Sequence, residues 1–163
     1  MSNAIMEARL AGLMSGPGEG RTVHVLGLDV RVKIASTDTQ DAFTVFDAEI
    51  PPMAGPPMHR HAHQDECWQV MEGAFRFVVD GREIHGRAGD TVFAPRGSEH
   101  TFQNVGSTPG HLLTMAVPGG LDVFFEALEV VSPRGTAPDP AKLMPIFDRH
   151  GMELLGPPLP PVA

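Results

Sequence analysis

The stretch Pro56-Pro57-Met58-His59-Arg60-His61-Ala62-His63-Gln64-Asp65-Glu66 sets three histidines at alternate positions and a carboxylate three residues after the last. On an extended strand, alternate side chains share a face. His59, His61 and His63 therefore project together, near enough for two or three imidazoles to meet one ion, with Glu66 close behind. Arg60 has the opposite parity and points away. Imidazole suits Zn, Fe, Ni and Cu, and an added carboxylate widens the choice towards Mn. The chemistry expected is that of one divalent transition metal: Fe, Mn, Ni, Cu or Zn.

Short strands have to position such a group. Val23 to Ile34 alternates as one bent strand or two short ones, and Ala42 to Ile50 makes another. Prolines 51, 52, 56 and 57 punctuate the approach to the histidines, as loop or edge positions that lack an amide donor. Strands are expected over Glu66–Met71, Ala74–Val79, Arg82–His85, Thr91–Ala94, His100–Asn104 and His111–Val117. Glu72-Gly73, Asp80-Gly81, Gly89-Asp90 and Pro95 to Ser98 turn between them. A strand every eight to twelve residues with Gly or Pro between reads as an all-β sandwich, barrel or jelly roll. After Pro118-Gly119-Gly120 the period changes, with an amphipathic helix around Val123 to Val131 and a second starting at Asp139-Pro140. Three regions result: an arm over 1–20, a barrel over 21–117, and an extension over 118–163 ending in a Pro-rich tail from Leu154. The arm is either loosely held or docks on a partner subunit, with a short helix over Ile5–Leu13. Helical residues 121–150 are expected to pack on the outside of the barrel.

A second segment completes the pattern. His59-Arg60-His61 is followed by four residues, Glu66, six residues and Gly73. After fifteen intervening residues come Gly89, five residues, Pro95-Arg96-Gly97, two residues, His100, three residues and Asn104. These segments resemble the two paired motifs of the cupin superfamily, H-x-H-x(3,4)-E-x(6)-G and G-x(5)-P-x-G-x(2)-H-x(3)-N. One departure is Met53, where the family usually has glycine; Gly55 lies two residues on. The resemblance implies a cupin-type jelly-roll β-barrel with a short C-terminal helical appendage and a metal inside it. It carries over His59, His61, Glu66 and His100 as ligands, and leaves His63 at the rim. Asn104 is expected to fix a turn or a ligand's orientation. A metal-dependent dioxygenase acting on a small aromatic or enol-type substrate is implied, similar to quercetinase-like cupins, with Glu66 as both ligand and base. The alternative is a non-catalytic small-molecule-binding or isomerase-like relative.

Trp68 and Phe102 share strand parity with Glu66 and His100, so both are expected inside, as core or as a substrate wall. Met115, Phe75, Phe77, Phe93 and Met71 are candidates for the rest of the lining, and His63 for its edge. Gln64 and Asp65 read as exposed turn residues, and Cys67 as a small buried hydrophobe facing away from Glu66. His24, His85, His111 and His150 lack partner spacing.

Composition excludes other classes. Twelve Lys plus Arg against twenty Asp plus Glu give a formal net charge of −8, which opposes phosphate-backbone binding. No Tyr and a single Trp leave few base-stacking platforms. Cys67 is the sole cysteine, so no intramolecular disulfide forms, in keeping with a reducing cytoplasm. No apolar run reaches eighteen residues, and no secretory signal pattern opens the chain. The expected partners are a small-molecule ligand and a second copy in a homodimer, with neither nucleic acid nor membrane.

Overall fold

The computed structural model describes residues 11–161 of the chain. Eleven strands run in order: β1 Arg21–Val25, β2 Leu28–Ile34, β3 Thr44–Ile50, β4 His59–His61, β5 Asp65–Glu72, β6 Ala74–Val79, β7 Arg82–Arg87, β8 Thr91–Ala94, β9 Glu99–Asn104, β10 Gly110–Val117 and β11 Met152–Leu154. Helices α1 Leu121–Val131 and α2 Pro140–Arg149 lie between the last two strands. One antiparallel sheet has the order β1-β2-β3-β10-β5-β8 and the other β11-β4-β9-β6-β7. Consecutive strands β5 and β6 belong to different sheets, so the chain crosses at Glu72-Gly73 rather than folding into a hairpin. This two-sheet jelly roll matches the all-β expectation.

Local chemistry sets the turns. Leu26-Gly27 and Asp80-Gly81 both take positive φ at their two central positions (48° and 98°; 48° and 75°), which the right-handed twist of a two-residue hairpin demands. The core fills the gap between the sheets, where one face of each strand is apolar. Trp68 and Val70 come from β5, Phe75 and Phe77 from β6, Phe46, Ala48 and Ile50 from β3, and Leu112 and Ala116 from β10.

The helices do not pack on the outside of the barrel, as the sequence led one to expect. Leu121, Phe124, Leu128, Leu143 and Phe147 join the same core as the strands, because the apolar faces of α1 and α2 close an open end of it. The start of α1 is pinned by a buried carboxylate. Asp122 accepts from the Ser36 N–H and Oγ, both at 3.0 Å, and from Thr44 Oγ1 at 3.2 Å. Asp139 caps α2 by accepting from the Ala141 N–H at 3.0 Å, with Pro140 in the first turn. Gly151 ends it at φ 65°.

The Pro-rich tail begins one residue later than the sequence suggested, because Leu154 belongs to β11. That strand runs antiparallel to β4, with Met152 opposite His61 and Leu154 opposite His59. Beyond it, the Leu159 carbonyl accepts from Gln103 Nε2 and the Pro160 carbonyl from Arg76 Nη2, so the tail covers the outer face of the five-stranded sheet. At the other end, Lys33 Nζ donates to the Gly16 and Glu19 carbonyls and ties down residues 16–19. Residues 11–13 of the helix expected over Ile5–Leu13 are irregular, and the rest lies outside the described residues.

Replacing Asp122 by Ala leaves the Ser36 and Thr44 donors unpaired in the core. The expected cost is about 2–4 kcal/mol in urea unfolding. Asp122→Asn, which keeps an acceptor, is expected to lose less.

Candidate metal centre

Four side chains from three strands converge between the sheets. His59 and His61 come from β4, His100 from β9 and Glu66 from β5. Alternation sends His59 and His61 inward and Arg60 outward, where its guanidinium meets Glu99 and Glu153. Pairing of β4 with β9 sets His59 directly opposite His100. One ligand atom from each of the four lies within 4.8 Å of the others. The imidazole centroids are 4.5–5.0 Å apart, and Glu66 Oε2 stands 3.3 Å from His100 Nε2 and 3.6 Å from His61 Nε2.

Backbone carbonyls fix the tautomers of two histidines. His59 Nδ1 lies 2.8 Å from the Pro57 carbonyl and His100 Nδ1 lies 3.0 Å from the Ser98 carbonyl. A carbonyl only accepts, so each Nδ1 carries the proton and each Nε2 presents a lone pair to the cluster. Histidines that ligate metals are oriented in this way. Both nitrogens of His61 and Nε2 of His100 are buried without any hydrogen-bond partner. Native interiors rarely leave such atoms unsatisfied, and here the Nε2 atoms of His61 and His100 both stand beside the Glu66 carboxylate. The residues present fit a divalent transition ion, whose bonds would satisfy them.

Electrostatics agree. Burial drives the His59 imidazole down to about 3, reinforced by His61 and His100. Burial also takes His61 down to about 4, against the pull of Glu66. Burial alone would push the Glu66 carboxyl up, but the neighbouring His100 imidazole, with those of His61 and His59, outweighs it and holds the carboxyl below its ordinary value. At neutral pH His59 and His61 are therefore neutral and Glu66 is a carboxylate, the protonation states a metal needs.

The approach loop resolves the departure at Met53. That residue adopts φ 61°, a backbone conformation that glycine takes freely, so the loop keeps its shape without the residue. Its N–H donates to the Asn104 carbonyl at 2.9 Å. The strict glycine requirement sits at Gly55, where a Cβ would lie 1.9 Å from the Phe102 carbonyl oxygen. Asn104 fixes the following turn: its Nδ2 donates to the Ile50 and Thr108 carbonyls, and its Oδ1 accepts from the Gly106 N–H. Asp65 is half-buried and paired rather than a free turn residue. The guanidinium and backbone N–H of Arg96 hold its carboxyl down to about 2 and join the start of β5 to the loop before His100.

Several sequence-predicted positions fall elsewhere. His63 is exposed and outside the cluster, because β4 stops at His61 and the alternation stops with it. Gln64 is buried, not exposed. Met115 (42% exposed), Phe93 (57%) and Met71 (46%) face outward and line nothing. Met115 sits opposite both Val45 and Cys67, and Cys67 opposite Phe93, in one row on the outer face of the six-stranded sheet. Cys67 is accordingly half-buried there.

Trp68 and Phe102 do face inward, and both line a cavity of about 120 Å³ that also touches His59, His61 and Glu66. The walls missed in the sequence come from the β1–β2 turn (Leu26, Leu28), the helices (Phe124, Phe147) and β11 (Met152). Their signal was the apolar helix face, which had to cover something apolar. No Lys or Arg lines the cavity.

The family model described as Cupin domain matches residues 46–116. An oxalate-binding protein of Thermotoga maritima is 25% identical over 116 residues, 71% of this chain and 90% of that protein. The oxidoreductase iacF of Pestalotiopsis fici is 41% identical over 51 residues, 31% of this chain and 25% of that protein. The structure of KdgF from Halomonas sp. superposes with a TM-score of 0.61 at 18% identity, covering 69% of this chain and 99% of that one.

The buried histidines make a pH prediction for the metal-free protein. The unfolded chain protonates these side chains near 6.5, the folded one only near 3 and 4. The unfolded state thus binds more protons through this window, so the contribution is full above about pH 6.5 and is lost as pH falls towards 4. The slope is up to about 1.4 kcal/mol per pH unit for each histidine. Thermal unfolding of chelator-treated protein across that range is expected to show it, and His59→Gln with His61→Gln to flatten it.

Proposed function

From a chain that belongs to the cupin superfamily, we propose a metal-dependent dioxygenase acting on a small aromatic or enol-type substrate. The observation that carries this reading is the union of the orphaned His/Glu cluster with an otherwise apolar cavity that no Lys or Arg lines. His59, His61, His100 and Glu66 would hold the metal, of the Fe, Mn, Ni, Cu or Zn class. Such an ion supplies Lewis-acid polarisation of a bound oxygen and, where redox-active, the electrons that dioxygen chemistry requires.

The chain's own residues supply the rest. Three neutral imidazoles and one carboxylate around a dication leave a net charge near +1, matched to a monoanion such as an enolate or phenolate. Glu66, held ionised, is the acceptor for the proton that the substrate oxygen gives up. Trp68, Phe102, Phe124 and Phe147 provide an apolar enclosure that keeps water from the anion. The cavity holds roughly ten water-sized positions, which suits one ring or a short diketone rather than a fused polycycle. Support for redox chemistry also comes from the local similarity to the oxidoreductase iacF.

The second reading is a non-catalytic binder, or an isomerase-like protein, and the oxalate-binding relative favours it. Against oxalate itself, the lining offers no cation for a second carboxylate. A homodimer is part of the proposal, and the outward apolar row of Val45, Met115, Cys67 and Phe93 supports it.

Metal analysis of protein purified without chelator, with oxygen uptake on catechols, 1,3-diketones and flavonols, separates the readings. About one equivalent of a redox metal and uptake on the small substrates are expected; zinc alone with ligand binding and no uptake favours the binder. His61→Ala with His100→Ala is expected to empty the site, and full occupancy would sink the shared-site assignment. Glu66→Gln is expected to lower turnover by about 100-fold or more.

A further inference from the structure

Trp68 is 1% exposed, and its Nε1–H has no hydrogen-bond partner. An unpaired buried donor is costly, and native proteins keep one only for a reason. The ring packs against Phe77 at 5.5 Å, edge-on to His100 at 5.5 Å and to Phe102 at 6.2 Å between centroids, and Thr114, opposite it on β10, does not accept from it. Yet Trp68 lines the cavity, and it stands two residues beyond Glu66 on the same face of β5. The Trp68 Cα thus lies about 7 Å along the strand from that of Glu66, and its ring reaches to 5.5 Å from the His100 ring. Apart from that cluster and Thr114, every other side chain lining the cavity is apolar or glycine.

We propose that the Trp68 indole N–H selects the ligand by donating to a second oxygen, carried three or four bonds from the oxygen that meets the His/Glu cluster. The substrate class narrows to small molecules with two neighbouring oxygens, such as an enolised 1,3-diketone or a catechol. A mono-oxygenated ring fills the same space but leaves the donor unpaired. This inference rests on the cavity being the ligand site, as proposed above. Trp68 acts here as a specificity-determining residue: it holds one end of the ligand, while Glu66 receives the proton at the other.

The chain has a single tryptophan, so one indole N–H resonance reports directly on this contact. The full chain loaded with zinc, which is redox-silent, is titrated with acetylacetone and separately with phenol. Acetylacetone is expected to move the indole proton downfield, and phenol is expected to bind without that shift. Trp68→Phe keeps the ring and removes the donor. It is expected to weaken acetylacetone by about three- to tenfold while leaving phenol within about twofold. An unmoved indole proton at saturating acetylacetone, or equal acetylacetone affinity in Trp68→Phe, overturns the inference and leaves the dioxygenase reading standing. Failure of both probes to bind the zinc-loaded protein overturns the two together. The spectrum of the unsubstituted protein decides the matter even if the variant does not fold.

Discussion

Three imidazoles and one carboxylate are gathered between the sheets, and no protein atom completes the bonding of the inward nitrogens on His61 and His100. A buried carboxylate without compensation is strongly disfavoured, so the cluster is sustained only by what surrounds it or by what it binds. Much of the nearby architecture serves this. The carbonyls of Pro57 and Ser98 hold two rings in one tautomer, the Arg96–Asp65 pair fastens the loop before His100 to the strand carrying Glu66, and Gly55 lets the approach loop lie against β9. Because β4 and β9 belong to one sheet and β5 to the other, the cluster also stitches the two layers together.

The cavity is divided by origin. Its polar end is built from strands that the paired motifs encode within a span of some forty residues. Its apolar end is assembled from distant pieces: a hairpin turn near the start of the chain, two helices and a last short strand. Changes in Phe124, Phe147 or Leu26 can reshape what fits without touching the ion's ligands. One fold can hold many chemistries by such variation.

Most strands were legible because one face of each is apolar, and the Asp80-Gly81 turn and the Asp139-Pro140 helix start announced themselves by residue type. The ligand residues were legible only through the spacing of two separate segments; strand parity by itself also chose His63. It failed there because alternation holds only while the strand lasts, and β4 is three residues long. Parity also cannot say which face of a strand looks inward without an anchor. Phe93 and Met115 were apolar enough for the core, but register sets them opposite Cys67, on the face away from Glu66. The destination of the helices and the pairing of Met152–Leu154 were invisible because they depend on contacts between segments ninety residues apart in the chain, which no local pattern encodes.

That last pairing bears on how the protein is made. The strand bearing His59 and His61 lies between β9 and β11, and β11 follows it by about ninety residues. As the chain leaves the ribosome, β4 keeps one bare edge until both helices and β11 have emerged, and an unpaired strand edge is a template for wrong partners. The candidate metal cradle is thereby closed only after both helices have been made: a nascent chain that stalls within them bears all four candidate ligands yet leaves the strand carrying two of them open on one side.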